Sequence, residues 1–151
     1  MWGKMKKIIY YWLIAVLAAL LVACGDRDTG SGPDEVIREM HAQLITPLEY
    51  ASLVSPVPVS PETVLAGAQI FRVNCASCHG ESGKGDGAAS RALNPKPPDL
   101  SLVAEVVDDA YLYWRIAEGG AELKSAMPGW KTILTEEQIW QGVAFIRSLA
   151  N

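Results

Sequence analysis

Five consecutive residues, Cys75-Ala76-Ser77-Cys78-His79, constrain this chain more than any other feature. Two thiols three residues apart fall on one helical turn, close enough to reach both vinyl groups of a single porphyrin. The next residue then offers an imidazole to the iron. The spacing is that of covalent c-type haem attachment. Two other chemistries use paired cysteines. A structural zinc site wants four ligands, and the only histidine besides His79 is His41, far from the motif and with no second cysteine pair. A thioredoxin-like thiol pair belongs in a βαβ pattern, which the chain lacks. One haem c, bonded to Cys75 and Cys78 and ligated by His79, is therefore expected.

The beginning of the chain reads as a targeting segment. Lys4, Lys6 and Lys7 precede sixteen uncharged, mostly apolar residues from Ile8 to Ala23. A membrane-spanning helix needs about 20 such residues. A basic start, an apolar middle and small residues at its end fit a signal peptide over residues 1–23, with an uncleaved anchor helix as the alternative. Leu21-Val22-Ala23-Cys24 resembles the lipobox of bacterial lipoproteins. That resemblance implies cleavage before Cys24 and acylation of Cys24, and several acyl chains hold a protein firmly to a bilayer. Residues 1–23 contain three of the 13 Lys and Arg and none of the 17 Asp and Glu, leaving ten cationic side chains against seventeen acidic. Such a balance argues against nucleic acid as a partner.

Residues 24–60 differ in character from the C-terminal part of the chain and are expected to form a lipid-anchored tether or a subunit-contacting extension. They open on a polar, glycine-rich run. A helix is expected from Asp34 to Leu44, where Val36, Ile37, Met40 and Leu44 recur at helical spacing. Pro47, Pro56 and Pro58 should then keep the chain extended. Leu44, Ile45, Leu48, Tyr50, Leu53 and Val54 are too apolar for a simple tether, which favours contact with a neighbouring subunit.

From Pro61 to Asn151 the pattern predicts one all-α domain of three to five helices joined by long loops. Ser60 is placed to cap a helix that has Pro61 at its first position and runs towards Cys75. Gly80 to Pro98 reads as a loop. A second helix should start near Asp108 or Asp109 and stop at Gly119-Gly120. Thr135 and Gln138 form a capping box for a last helix reaching about Ala150. Loops of that length need something to pack on, and a buried haem supplies it.

Over residues 61–150 the sequence resembles the class I cytochromes c, and specifically their small bacterial members. Gly67 and Phe71 match the glycine and aromatic of that family's first helix, and Phe145 the aromatic of its last. Cys-Ala-Ser-Cys-His-Gly, the following Gly-Lys-Gly-Asp-Gly, and Pro97-Pro98-Asp99-Leu100 match as well. The resemblance implies a cytochrome c fold wrapped round one covalent haem, with its first and last helices crossing at the glycine. It also implies that the Pro98 carbonyl accepts a hydrogen bond from the other ring nitrogen of His79, tuning its basicity. Ser125-Ala126-Met127-Pro128-Gly129-Trp130 resembles the family's distal loop, which makes Met127 the sixth iron ligand. Met40, Met1 and Met5 lie before the motif and do not compete. Trp130 is expected to pack on the haem, to bond a propionate, or simply to fill the core, and in the family the middle helix lies beside the haem, within reach of Leu112 or Arg115.

A haem with both axial positions filled has no open site for a small-molecule substrate. The expected role is an electron carrier rather than an enzyme, with redox proteins or membrane-complex subunits as partners. A gas-binding or catalytic haem protein would want a distal histidine or arginine, and the domain has no histidine beyond His79. With its lipid anchor the protein belongs to the bacterial cell envelope, facing the periplasm or exterior. It loosely resembles monohaem lipoprotein subunits of bacterial respiratory complexes such as alternative complex III.

Overall fold

The computed structural model describes residues 32–150. The expected signal segment, Cys24 and the polar run up to Ser31 lie outside the described residues, as does Asn151. Among the described residues seven α-helices run in order: α1 Pro33–Gln43, α2 Leu48–Ala51, α3 Pro61–Asn74, α4 Ala76–His79, α5 Leu100–Val106, α6 Asp109–Glu118 and α7 Glu136–Ser148. Two 3₁₀ turns, Ala88–Ala92 and Ala121–Leu123, interrupt the loops, and no strand occurs among the described residues.

The helix starts obey local chemistry. Ser60 Oγ accepts from the Thr63 amide at 3.2 Å, with Pro61 next in the chain. The Asp108 carboxylate accepts from Tyr111 N at 2.7 Å. Thr135 and Gln138 satisfy each other's backbone amides at 3.2 and 2.9 Å, completing the capping box. Each cap of this kind stabilises its helix by about 1 kcal/mol. Gly119 ends α6 with φ 87°, a conformation that costs a glycine nothing.

The core is built on the crossing of α3 and α7. A Cβ on Gly67 would lie 1.9 Å from the Gln141 carbonyl oxygen, so only a glycine permits the approach. Beside the crossing, Phe71 and Phe145 meet with ring centroids 5.0 Å apart. The middle helix α6 is buried from Ala110 to Ala117. Its Tyr113 ring packs 4.5 Å from Trp140 of α7, which is 1 % exposed.

Two features depart from the sequence reading. Helix α5 begins directly after the proline-rich loop; Asp99 starts it by accepting from Ser101 N and Oγ at 2.9 and 2.6 Å. Its Leu100, Val103 and Ala104 then turn inward. The second departure is the extension, which lies against the domain. Helix α1 packs on α5 and α2 on α6. Leu44, Tyr50, Leu53 and Val57 join the apolar core, while Ile45, Leu48 and Val54 stay exposed.

Candidate haem site

Helix α3 delivers the motif. Cys75 donates its amide to the Phe71 carbonyl at 2.8 Å, closing α3, and its own carbonyl accepts from Cys78 N at 3.1 Å and His79 N at 2.9 Å. Cys75, Cys78 and His79 thus share one turn, α4, and all three are half-buried. Both thiols are unpaired. Burial, then the neighbouring Cys78, pushes the Cys75 thiol up to about 11. A thiol so raised is a poor nucleophile at neutral pH, which disfavours thiol-redox chemistry here. Burial pushes His79 down to about 4, so its imidazole is neutral and offers a lone pair to a metal.

The ring of His79 rests near Phe71, with centroids 6.3 Å apart. Its Nδ1 is buried and makes no hydrogen bond. It is the atom that the family resemblance pairs with the Pro98 carbonyl. In the adjoining loop Gly85 donates its amide to the His79 carbonyl at 2.8 Å, and the Pro97 and Pro98 carbonyls pass close to Gly85. A Cβ there would meet the Pro97 oxygen at 2.1 Å and that of Pro98 at 3.2 Å, and φ is +70°. Both constraints require glycine at that position.

Met127 sits half-buried against the core on a loop closed by short backbone bonds. Its carbonyl accepts from Gly120 N at 2.9 Å, and Ser125 N donates to the Gly120 carbonyl at 3.0 Å. Beyond it, Trp130 N and Lys131 N donate to the carbonyls of Ile116 and Ala117 at 2.9 and 3.2 Å. The last turn of α6 thus fixes the far shoulder of the loop, and Gly120, just beyond the helix, fixes the near one. Trp130 is half-buried against the core.

Arg115 is 5 % exposed, unusual for a guanidinium. One terminal nitrogen donates to Glu122 at 3.1 Å, its carbon lies 4.8 Å from the centre of the Trp114 ring, and the other terminal nitrogen is buried without a partner. A buried polar atom left unbonded costs about 1–3 kcal/mol. The donor set fits a haem. Two thiols and a neutral imidazole share one turn, a methionine rides on a loop bonded to α6, and a buried cation has a nitrogen to give to an acidic group.

Sequence reasoning missed the partners that bind the extension. His41 Nδ1 lies 2.6 Å from the Tyr111 hydroxyl, and Tyr50 donates its hydroxyl to Glu118 Oε1. In the sequence Tyr50 stood out only as part of an apolar run, and His41 only as a residue of the helix expected from Asp34 to Leu44.

Comparison with known proteins gives the family. Residues 62–146, more than half of the chain, match the family model described as cytochrome c oxidase, cbb3-type, subunit III. The cbb3-type cytochrome c oxidase subunit FixP of Sinorhizobium medicae is 37% identical over 94 residues, covering 57% of this chain and 30% of that protein. FixP of a Bradyrhizobium species is 30% identical over 113 residues, covering 72% of this chain and 35% of its own length. This chain therefore spans about a third of these curated relatives. Among solved structures, the Kuenenia stuttgartiensis reducing HAO-like protein complex Kustc0457/Kustc0458 shares the fold at TM-score 0.55 and 24% identity, over 64% of this chain and 48% of that one. With its helical fold and its haem-attachment turn, the chain is a class I c-type cytochrome, a haem c protein that belongs to the family of cytochrome c oxidase, cbb3-type, subunit III.

Proposed function

We propose that this protein carries electrons through a single haem c as a membrane-tethered shuttle or subunit of a respiratory oxidase complex. The observation that carries the reading is the α4 turn, where Cys75, Cys78 and His79 stand together. Cys75 and Cys78 would hold the haem covalently, and His79 and Met127 would ligate its iron. The bound haem supplies a reversible one-electron couple. The protein's part is to seal the iron from small molecules and set its potential. Arg115 would give its unpartnered nitrogen to an acidic group of the cofactor, and a buried cation there favours the reduced, less positive haem.

One haem is proposed because the sequence contains one Cys-x-x-Cys-His motif. The oxidase setting is proposed because the named relatives are oxidase subunits. Membrane attachment is proposed through acylated Cys24; among the described residues no helix is long and apolar enough to cross a membrane. The protein would then face the periplasm or exterior of a bacterial envelope.

The test is haem-peroxidase staining after denaturing electrophoresis, with intact-mass measurement and a redox titration of the same sample. One stained band, the mass of one haem and a single one-electron wave are expected. Replacing both Cys75 and Cys78 by serine should abolish the stain. A band that keeps it, or a mass without haem, would overturn the reading.

A further inference from the structure

A thioether is neutral and soft, so nothing ionic holds it to ferric iron. Whether Met127 stays in place then depends on what keeps its loop closed, a question that rests on the reading of Met127 as iron ligand. Four residues beyond Met127, Lys131 donates from Nζ to Glu118 Oε1 at 2.7 Å. Between half-exposed side chains such a pair contributes little by itself, because both are free to move. Glu118 is not free. The same Oε1 accepts the hydroxyl of Tyr50, which comes from the N-terminal extension 68 residues away.

Tyr50 is itself held. Its ring lies against Tyr113 at 6.2 Å between centroids, and Tyr113 stacks on the fully buried Trp140 at 4.5 Å. The extension is fastened a second time by His41 at Tyr111, near the other end of α6. A rigid aromatic stack thus fixes a hydroxyl, the hydroxyl fixes a carboxylate, and the carboxylate holds the lysine on the far shoulder of the methionine loop. On the near shoulder, Arg115 of the same helix grips Glu122.

We infer that Tyr50 is a positioning residue for the axial methionine, acting through Glu118 and Lys131 to keep the Met127 loop on α6. The extension is then part of the redox site as well as a link to the membrane.

The test uses the full-length ferric lipoprotein in detergent, titrated with imidazole, which binds iron only when Met127 leaves. The methionine-to-iron charge-transfer band at the red end of the spectrum reports the ligand. Tyr50→Phe keeps the ring and removes the hydroxyl. It should bind imidazole about fivefold more tightly, the effect of losing one partly exposed hydrogen bond to a charged group. Glu118→Ala should do the same, and the double variant should add little to either. A merely structural Tyr50 would shift the denaturation midpoint and leave imidazole affinity unchanged; that result overturns the inference. Wild-type protein lacking the band would overturn methionine ligation itself and the inference with it.

Discussion

His41 and Tyr111, seventy residues apart in sequence, share a buried hydrogen bond of 2.6 Å, and their rings meet edge to face with centroids 5.7 Å apart. His41 is 8 % exposed although it belongs to a stretch that reads as spacer. Arg115 lies close enough for its charge to act on the imidazole. The docked state of the extension therefore requires a neutral histidine.

Stability should accordingly fall on acidification through one identifiable group. Burial first, and the Arg115 cation second, push His41 from 6.5 down to about 4. Above 6.5 neither the folded nor the unfolded chain is protonated there. Between 6.5 and 4 the unfolded chain alone takes up the proton, so stability declines as pH drops; below 4 both are protonated and the decline ends. At pH 4.5 the loss from this residue is on the order of 2 kcal/mol. Denaturant titrations of wild type and His41→Gln from pH 7 to 4.5 should converge by that amount. Parallel curves would show that His41 titrates normally.

Gly67→Ala tests the helix crossing. The new Cβ would fall 1.9 Å from a backbone oxygen of α7 and 2.9 Å from the Phe145 Cβ, and a backbone carbonyl has little room to yield. The helices must separate, loosening the contact between Phe71 and Phe145. A loss of roughly 3 kcal/mol is expected in chemical denaturation of the haem-loaded protein. An effect below about 0.5 kcal/mol, the scale of a neutral surface change, would mean that the helices pack elsewhere.

What the sequence revealed was what local chemistry decides. Ser60, Asp108 and Thr135 cap helices through amides three residues away, and Gly119 stops one by its own backbone freedom. The haem turn is equally local. Helix α5 was hidden because four residues of prolines and charge precede it, although Asp99 and the inward Leu100, Val103 and Ala104 carry the ordinary pattern. The folding back of the extension was not legible. Its partners, Tyr111 and Glu118, lie 70 and 68 residues away, and nothing local distinguishes Leu53, which packs inward, from Val54, which faces out. The orphaned nitrogen of Arg115 likewise becomes visible only once α6 is seen to be buried on all sides.

If the haem is held by Cys75 and Cys78 and ligated by Met127 as proposed, Met127→His should retain the haem but change the iron's second ligand. Imidazole donates more strongly than a thioether and favours ferric iron. The midpoint potential should drop by about a tenth of a volt or more, with loss of the methionine-to-iron band. Potentiometry with optical detection reads both. An unchanged potential and spectrum would place the sixth ligand elsewhere.

The proposed lipid anchor would decide how far the carrier can travel. Packing of α1, Leu44, Tyr50, Leu53 and Val57 on the domain leaves only the eight residues from Gly25 to Gly32 between Cys24 and the first helix. Even fully extended, eight residues span at most about 30 Å, so an acylated Cys24 would confine the haem domain to the membrane surface rather than let it range on a long tether. Mass spectrometry of the wild-type N-terminus should find a lipid-modified Cys24. Cys24→Ser should block processing and leave an uncut precursor held by its apolar leader. An unmodified N-terminus at another residue would indicate a diffusing carrier. An intact Met1 start in wild type would indicate a helix anchor in place of lipid.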